Sequence, residues 1–210
     1  MVDPITTQPL RDRTLQRSLR LLGGLVLYGV ALAALVRARL GLDPWTVFAD
    51  GLSKVTGWTL GTVTVVVSLG LLLLWIPLRQ RPGVGTLANA VVVGLVLDGA
   101  LRVIPMVSAL PIRVVLMCVA ILGVAVATGL YVGAGWGPGA RDGLMTGLAA
   151  KGIPILIGRT VVEVTVLVIG WLLGGSVGVG TVLFALSMGA LVSRTLPAMT
   201  VRRQSPGPDD

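Results

Sequence analysis

The sequence repeats itself. Residues 40–94 recur in degraded form about 95 positions later. Gly41 and Leu42 correspond to Gly137 and Pro138, Gly51 and Leu52 to Gly147 and Leu148, and Trp75 to Trp171. The run Gly83, Val84, Gly85, Thr86 returns as Gly178, Val179, Gly180, Thr181, and Gly94 falls on Gly189. The offset slips once, from 96 to 95, so a single gap aligns the two copies. Each copy carries three apolar stretches of membrane-crossing length. An odd number of crossings forces the second copy to enter a bilayer from the side opposite to the first. Inverted repeats of this kind are a recurring transporter architecture, with the site where the halves meet.

Composition agrees with a bilayer. Hydrophobic residues make up 54% of the chain and charged residues 12%, with a mean hydropathy of +0.92. Soluble domains carry about 25% charge. Six spans within 210 residues leave no room for a soluble domain. The net charge of +8 does not signal nucleic acid, because the basic residues cluster at span ends and no basic helix alternates with aromatics. The single cysteine, Cys118, lies within a predicted span, so no intrachain disulfide forms and a Cys-based metal site is disfavoured. The absence of histidine removes the usual base of a hydrolase triad and the commonest metal ligand. There is no Walker A run and no GxGxxG, and the glycines of 133–139 (GAGWGPG) have the wrong spacing for a dinucleotide fingerprint. No span holds a Ser, Cys or Lys beside a convincing base. The expectation is a protein that is not an enzyme and needs no cofactor or metal.

The predicted spans are 19–36, 60–78, 86–104, 112–132, 155–173 and 177–196, each near the ~20 residues that cross the hydrocarbon. Residues 1–18 and 202–210 read as polar cytoplasmic tails, 19–108 as the first membrane repeat and 109–201 as the second. Arg11, Arg13, Arg17 and Arg20 ahead of an apolar run resemble a signal peptide, but 18 apolar residues are long for one, and the repeat needs this helix as the partner of 112–132. With the N-terminus inside, the inner face carries Arg11, Arg13, Arg17, Arg20, Arg79, Arg81, Arg141, Lys151, Arg159, Arg194, Arg202 and Arg203. The outer face carries Arg37, Arg39, Lys54, Arg102 and Arg113. Twelve against five places both termini in the cytoplasm. Trp45, Trp58, Trp75, Trp136 and Trp171 all fall near predicted interfaces, as an aromatic belt requires.

Two moderately apolar stretches, 42–55 and 138–150, are too short to cross. Both follow Gly/Pro-rich turns, through Gly41 and Pro44 in one copy and Gly137 in the other. Each predicts a short helix, either dipping into the membrane or lying at its surface. Matching interrupted segments in the two halves point to a transporter site.

Few ionisable residues fall inside spans. Glu163 sits eight residues into the fifth span, about 12 Å deep at 1.5 Å per residue. A charge there costs roughly 3 kcal/mol or more and must pair, protonate or face water. Arg159, four residues earlier, lies on the same helical face. Glu163 suits a proton-coupling carboxylate and Arg159 a holder of an anionic group; a clamp fixing the bundle accounts for the same pair. Asn89 and Asp98, nine residues apart, face opposite sides of the third span and serve different neighbours. Asp98 shares a face with Gly94 and lies within reach of Arg102. Arg141 and Asp142 open the inner short segment, where backbone N–H groups favour anions and Asp142 suits a helix cap. Gly83, Gly85, Gly178 and Gly180 suit tight helix starts, with Thr86 and Thr181 beside them, while Gly129, Gly133, Gly170 and Gly174 have the spacing of close helix approach.

In combination these motifs resemble the bacterial YczE/YyaS-like integral membrane proteins, relatives of the YitT-type family. The resemblance rests on 40–47 (LGLDPWTV) with Gly51 and Leu52, including Gly41, Pro44 and Trp45. It continues in 76–86 (IPLRQRPGVGT) with Asn89, Gly94 and Asp98, and in 137–145 (GPGARDGLM). Its last part is Arg159 with Glu163, then Gly174, Gly175 and 178–181 (GVGT). It covers roughly 19–197. The chain departs from it at Thr46, where such proteins often have Asp, and at Ala140, where they often have Pro. The first departure removes a carboxylate and disfavours a mechanism built on one matched acid per repeat. The resemblance implies a multi-span plasma-membrane protein and carries no substrate with it.

The sequence therefore predicts an all-α polytopic membrane protein: six transmembrane helices as two inverted three-helix repeats, each with a short re-entrant or interfacial helix. The function expected is transport or export of a small anionic or zwitterionic solute, proton-coupled through Glu163. The alternative is a non-transporting membrane factor that supports assembly or regulation of another enzyme system. The partners expected are the lipid bilayer and the solute, with no nucleic acid; the small-residue faces also suit a homodimer.

Overall fold

The computed structural model describes residues 14–200. Among them are eight helices and no strand: α1 (Thr14–Ala38), α2 (Pro44–Thr56), α3 (Leu60–Trp75), α4 (Val84–Val103), α5 (Leu110–Gly133), α6 (Ala140–Ala150), α7 (Ile155–Leu172) and α8 (Val179–Met199). Helices are what a hydrocarbon solvent demands of a single chain, because every backbone N–H and C=O must be satisfied within the segment. α3 is rich in valine and threonine, which favour strands in water, and is helical all the same. Five helices, α1, α4, α5, α7 and α8, are long and apolar enough to cross a membrane. A sixth crossing exists by that measure only if α2 and α3, bent by 114°, count as one broken span. The second predicted span therefore ends early, at Trp75: Pro77 cannot donate to a continuing helix, and Gln80 N turns back onto Trp75 O at 3.1 Å.

α1 begins at Thr14, so it takes in the end of the stretch read as a polar tail. Arg17 is fully buried and donates through Nη1 to Ala134 O at 2.7 Å. Residues 1–13 and 201–210, with Arg11, Arg13, Arg202 and Arg203, lie outside the described residues.

α1 and α5 pack along each other at the centre. Arg113, near the start of α5, donates through Nε to Ala38 O at 2.8 Å, at the end of α1. Arg17, near the start of α1, reaches the end of α5. The two helices are therefore antiparallel. α4 packs on α1 as α8 packs on α5, and α2 packs on α7 as α6 packs on α3. The turn that starts α4 lies on the loop after α5, where Gly85 N donates to Trp136 O at 2.8 Å and Thr86 Oγ1 to Pro138 O at 2.7 Å. The turn that starts α8 lies on the loop after α1, where Gly180 N donates to Leu40 O at 2.7 Å. Both loops bend through a glycine at positive φ, Gly41 at 116° and Gly137 at 119°.

One of the extensive pairings has no counterpart. α3 packs along α4 at a close crossing, where a Cβ on Gly61 would lie 2.1 Å from Gly94 O. α7 does not pack along α8, and Gly189, the repeat equivalent of Gly94, has nothing within 4 Å of its Cβ position.

The loops fold back. Arg17 and Ala38 are 21 residues apart on α1, about 31 Å at 1.5 Å per residue. α1 and α5 thus end at opposite ends of the bundle. Nevertheless Asp43, five residues past the end of α1, and Arg141, beyond the end of α5, are in contact at 3.2 Å. The Arg141 guanidinium lies 5.9 Å from the ring of Tyr28, halfway along α1. Each connecting loop thus runs back to the middle of the bundle, where α2 and α6 begin.

The tryptophans divide. Trp58 and Trp171 are exposed, in keeping with an interfacial belt, but Trp45, Trp75 and Trp136 are buried inside the bundle. Trp75 Nε1 donates to Ala140 O at 3.0 Å. An indole that finds a hydrogen-bond acceptor in the interior has no need of the interface.

Candidate functional site

A cavity of about 100 Å³ lies where the starts of α2 and α6 meet. All eight helices line it. They contribute Tyr28 from α1, Trp45 from α2 with Asp43 before it, Thr64 and Ser68 from α3, and Asn89 from α4. Thr128 and Tyr131 come from α5, Arg141 and Asp142 from α6, Arg159 and Glu163 from α7, and Phe184 and Met188 from α8.

Its floor is set by the first turns of the two short helices. Asp43 is the N-cap of α2: its Oδ2 accepts from Thr46 N at 3.3 Å, with Pro44 following as the favoured first helical residue. The same oxygen accepts from Arg141 Nη1 at 3.2 Å. The Asp43 side chain is 2% exposed and that of Arg141 is 23% exposed. The guanidinium also lies over two aromatic rings, 5.9 Å from the centroid of Tyr28 and 5.7 Å from that of Trp45. Trp45 and Arg141 hold equivalent positions in the two copies. Arginine suits this place because it is always charged, planar and weakly hydrated. Asp43 Oδ1 is buried and has no hydrogen-bond partner among the described residues.

Asp142, predicted as a cap, is not one. The N-cap of α6 is Gly139, which supplies no side chain, and Asp142 Oδ2 instead accepts from Tyr131 Oη at 2.9 Å. Tyr131 and Tyr28 pack edge to face at 5.9 Å. Arg159 Nε donates to Glu163 Oε1 at 2.8 Å along one face of α7. Their side chains are 45% and 28% exposed, and both line the cavity.

Of the residues singled out from the sequence, Glu163, Arg159, Arg141, Asp142 and Asn89 line this one cavity and Asp98 does not. Asp98 receives hydrogen bonds from Gly61 N at 2.7 Å and from Thr59 Oγ1. Among the described residues it forms no ion pair with Arg102. The carboxylate serves the orphan N–H groups that begin α3. Gly41, Gly85, Thr86, Gly137, Gly180 and Thr181 form the two loop–helix junctions. There a Cβ on Gly41 would meet Thr181 Oγ1 at 2.7 Å, and one on Gly137 would meet Thr86 Oγ1 at 2.6 Å. Trp45 lines the cavity, and Pro44 opens α2 beside it. Asp43, Tyr28 and Tyr131 went unremarked as site residues. Asp43 was readable as an N-cap before Pro44, but nothing local signals that it meets Arg141, 98 residues away.

Residues 15–196 match a family described as "Family of unknown function (DUF6198)". The chain belongs to that family. A Bacillus subtilis relative, named "Uncharacterized membrane protein YczE", is 31% identical over 174 residues, covering 81% of this chain and 80% of the relative. A Haemophilus influenzae relative, named "Uncharacterized protein", is 37% identical over 173 residues, covering 82% of this chain and 79% of the relative. No solved structure matches. The resemblance to YczE-like membrane proteins is borne out, and with several helices of crossing length the protein is a multi-pass membrane protein.

Proposed function

We propose that the protein is a small-solute transporter of the plasma membrane, with six crossings in two inverted three-helix repeats and both termini cytoplasmic. In this reading α2 and α6 are re-entrant half-helices, and their facing N-termini form the substrate site. One observation carries it: Asp43 and Arg141 meet halfway along α1, although the helices that precede them end at opposite ends of the bundle. Half-helices that start at the middle of the bilayer, one from each repeat, are the construction transporters use to bind solutes there. Five ionisable side chains around one intramembrane cavity add support, because each is expensive at that depth and such groups mark substrate and ion pathways.

The unequal pairing of the repeats favours movement. One half has its crossing closed, α3 on α4, while the other has α7 apart from α8. Approach of α7 to α8, looser than the glycine crossing of α3 and α4 because Ile157 stands at the position of Gly61, would close one side of the site as the other opens. Glu163, partly exposed and bonded to Arg159, is the coupling group in this scheme. Protonation would neutralise the carboxylate and release the guanidinium. The protein acts as a carrier and not as an enzyme.

Two measurements test the reading. Single cysteines at Lys54 and Lys151, in a Cys118→Ser background, should be labelled from opposite sides of sealed vesicles; labelling from one side would refute the inverted topology. In proteoliposomes, a pH gradient should drive solute uptake that Glu163→Gln abolishes without loss of folded protein. Absence of any flux, with Glu163→Gln merely destabilising, would favour a membrane factor that supports another enzyme system.

A further inference from the structure

We infer that the cavity binds a small zwitterion, with its ammonium group against Asp43 and Asp142 and its carboxylate against Arg141 and Arg159. The inference rests on the transporter reading for its biological role but on the cavity alone for its chemistry.

Charge balance is the first argument. Two guanidiniums and two helix N-termini, each worth about half a positive charge, face the carboxylates of Asp43, Asp142 and Glu163. The site is close to neutral before a ligand arrives. A lone anion or a lone cation would upset that balance in a low-dielectric cavity, where an uncompensated charge is costly. A zwitterion preserves it.

The second argument is which atoms are spoken for. Both arginines already hold a carboxylate, Arg141 that of Asp43 and Arg159 that of Glu163. A free anion could reach the remaining guanidinium N–H groups, but it would add a negative charge to pairs that are already neutral. The unmet demand is for a donor. Asp43 Oδ1 is buried without a partner, and among the described residues the Asp142 carboxylate receives one side-chain hydrogen bond, from Tyr131. An ammonium brings three N–H groups to these oxygens. It would also share the faces of Tyr28 and Trp45 that now flank Arg141, since aromatic faces attract cations. As the ammonium takes Asp43, the freed Arg141 N–H groups turn to the ligand's own carboxylate, so both internal charges stay paired. Arg141 thus marks where a cation is stabilised, against Asp43 and over Tyr28 and Trp45.

Size is the third argument. About 100 Å³ is room for a few waters, whose share of liquid volume is about 30 Å³ each, or for a solute of a handful of heavy atoms. This excludes peptides and nucleotides from the cavity as it stands.

The test is isothermal titration of the full chain in lipid nanodiscs with glycine, alanine and β-alanine, and with two truncated probes. Propionate is alanine without its ammonium, and ethylamine is alanine without its carboxylate. At least one zwitterion should bind saturably and about tenfold or more tighter than either truncated probe, because a site built to bond a group rejects the analogue that lacks it. Asp43→Asn, which keeps the helix cap and the volume, should weaken that zwitterion about tenfold or more. Asp50→Asn, outside the cavity, should not. Equal or tighter binding of propionate or ethylamine, no saturable zwitterion binding, or unchanged affinity in Asp43→Asn would each overturn the inference. If Asp43→Asn does not fold, the ranking of probes on the unmutated protein decides alone. Zwitterion binding without flux in proteoliposomes would remove the transporter reading and leave the site; flux of a solute with a single charge would do the reverse.

Discussion

Arg17 and Arg113, 96 positions apart, make the same contact in opposite halves of the molecule. Arg17 donates to Ala134 O at 2.7 Å and Arg113 to Ala38 O at 2.8 Å, and the two acceptors are also 96 positions apart. Each arginine satisfies a carbonyl that the end of a helix leaves free. Replacing either with glutamine should leave that carbonyl poorly served, at about 1–3 kcal/mol. Arg17, which is fully buried, should cost more than Arg113. The two sites lie about 31 Å apart along α1, so the double variant should show the sum of the single losses. Thermal melts in detergent check both points, and a strongly sub-additive double variant would contradict the independence of the two ends.

This pair shows what the sequence made legible and what it hid. Helix existence was readable, since apolar stretches of crossing length can hardly be anything else in lipid. Both short helices were readable too, from their Gly and Pro flanks. The repeat was traced from residue 40, because glycines and tryptophans mark it there. Arg17 and Arg113 carry the same offset into α1 and α5, but their neighbours are aliphatics that replace one another readily, so the repeat is not visible in them. The cavity was half visible. Glu163 with Arg159, and Arg141 with Asp142, stand out as charges in apolar surroundings. Their partners Tyr28 and Tyr131 sit on α1 and α5 and Asp43 just ahead of α2, and they meet because the loops fold back through the bundle, which no local pattern encodes. Three tryptophans mistaken for interface anchors are buried for the same reason.

Gly41 and Gly137 should resist substitution together. Each sits at a positive φ that side chains rarely adopt, and each faces the turn that starts a helix of the other half. Alanine at either place adds backbone strain of about 1–3 kcal/mol and a clash below 3 Å. Gly70→Ala and Gly99→Ala, where the added methyl meets nothing within 4 Å, should be neutral or stabilising by up to about 1 kcal/mol. Melting temperatures of the four variants test the contrast; equal losses at all four would show that the junctions are not special.

The Asp43–Arg141 pair predicts a double-mutant cycle with a large coupling. Asp43→Asn keeps a capping side chain but leaves Arg141 without its carboxylate, at roughly 3 kcal/mol for a buried pair that loses one member. Asp43→Ala also loses the cap, adding about 1 kcal/mol. Arg141→Met leaves the Asp43 carboxylate buried and unpaired and should destabilise similarly. The double variant Asp43→Asn, Arg141→Met removes both charges and should recover most of the loss. Additive losses in the cycle would mean that the two residues act separately.

The gap between α7 and α8 leads to a prediction about movement. Ile157 and Gly189 hold the repeat positions that Gly61 and Gly94 hold in the closed crossing of α3 and α4. At that crossing the backbones touch, and a Cβ on either glycine would meet the other's carbonyl oxygen below 3 Å. At α7 and α8 the chains stand apart and a pair should not cross-link while they do. In a transporter that works by this approach of α7 to α8, Ile157→Cys with Gly189→Cys, in a Cys118→Ser background, should form a disulfide slowly as α7 visits α8. Once formed, it should stop flux reversibly. A bulky residue at Gly189, such as Gly189→Leu, should leave the stability within about 0.5 kcal/mol of the parent, because nothing occupies that space. It should nonetheless block the visit and the cross-link, whereas Gly94→Leu should destabilise the fold outright. A cysteine pair that never oxidises, with flux unimpaired in Gly189→Leu, would mean that α7 does not close on α8 and that the asymmetry of the halves is permanent.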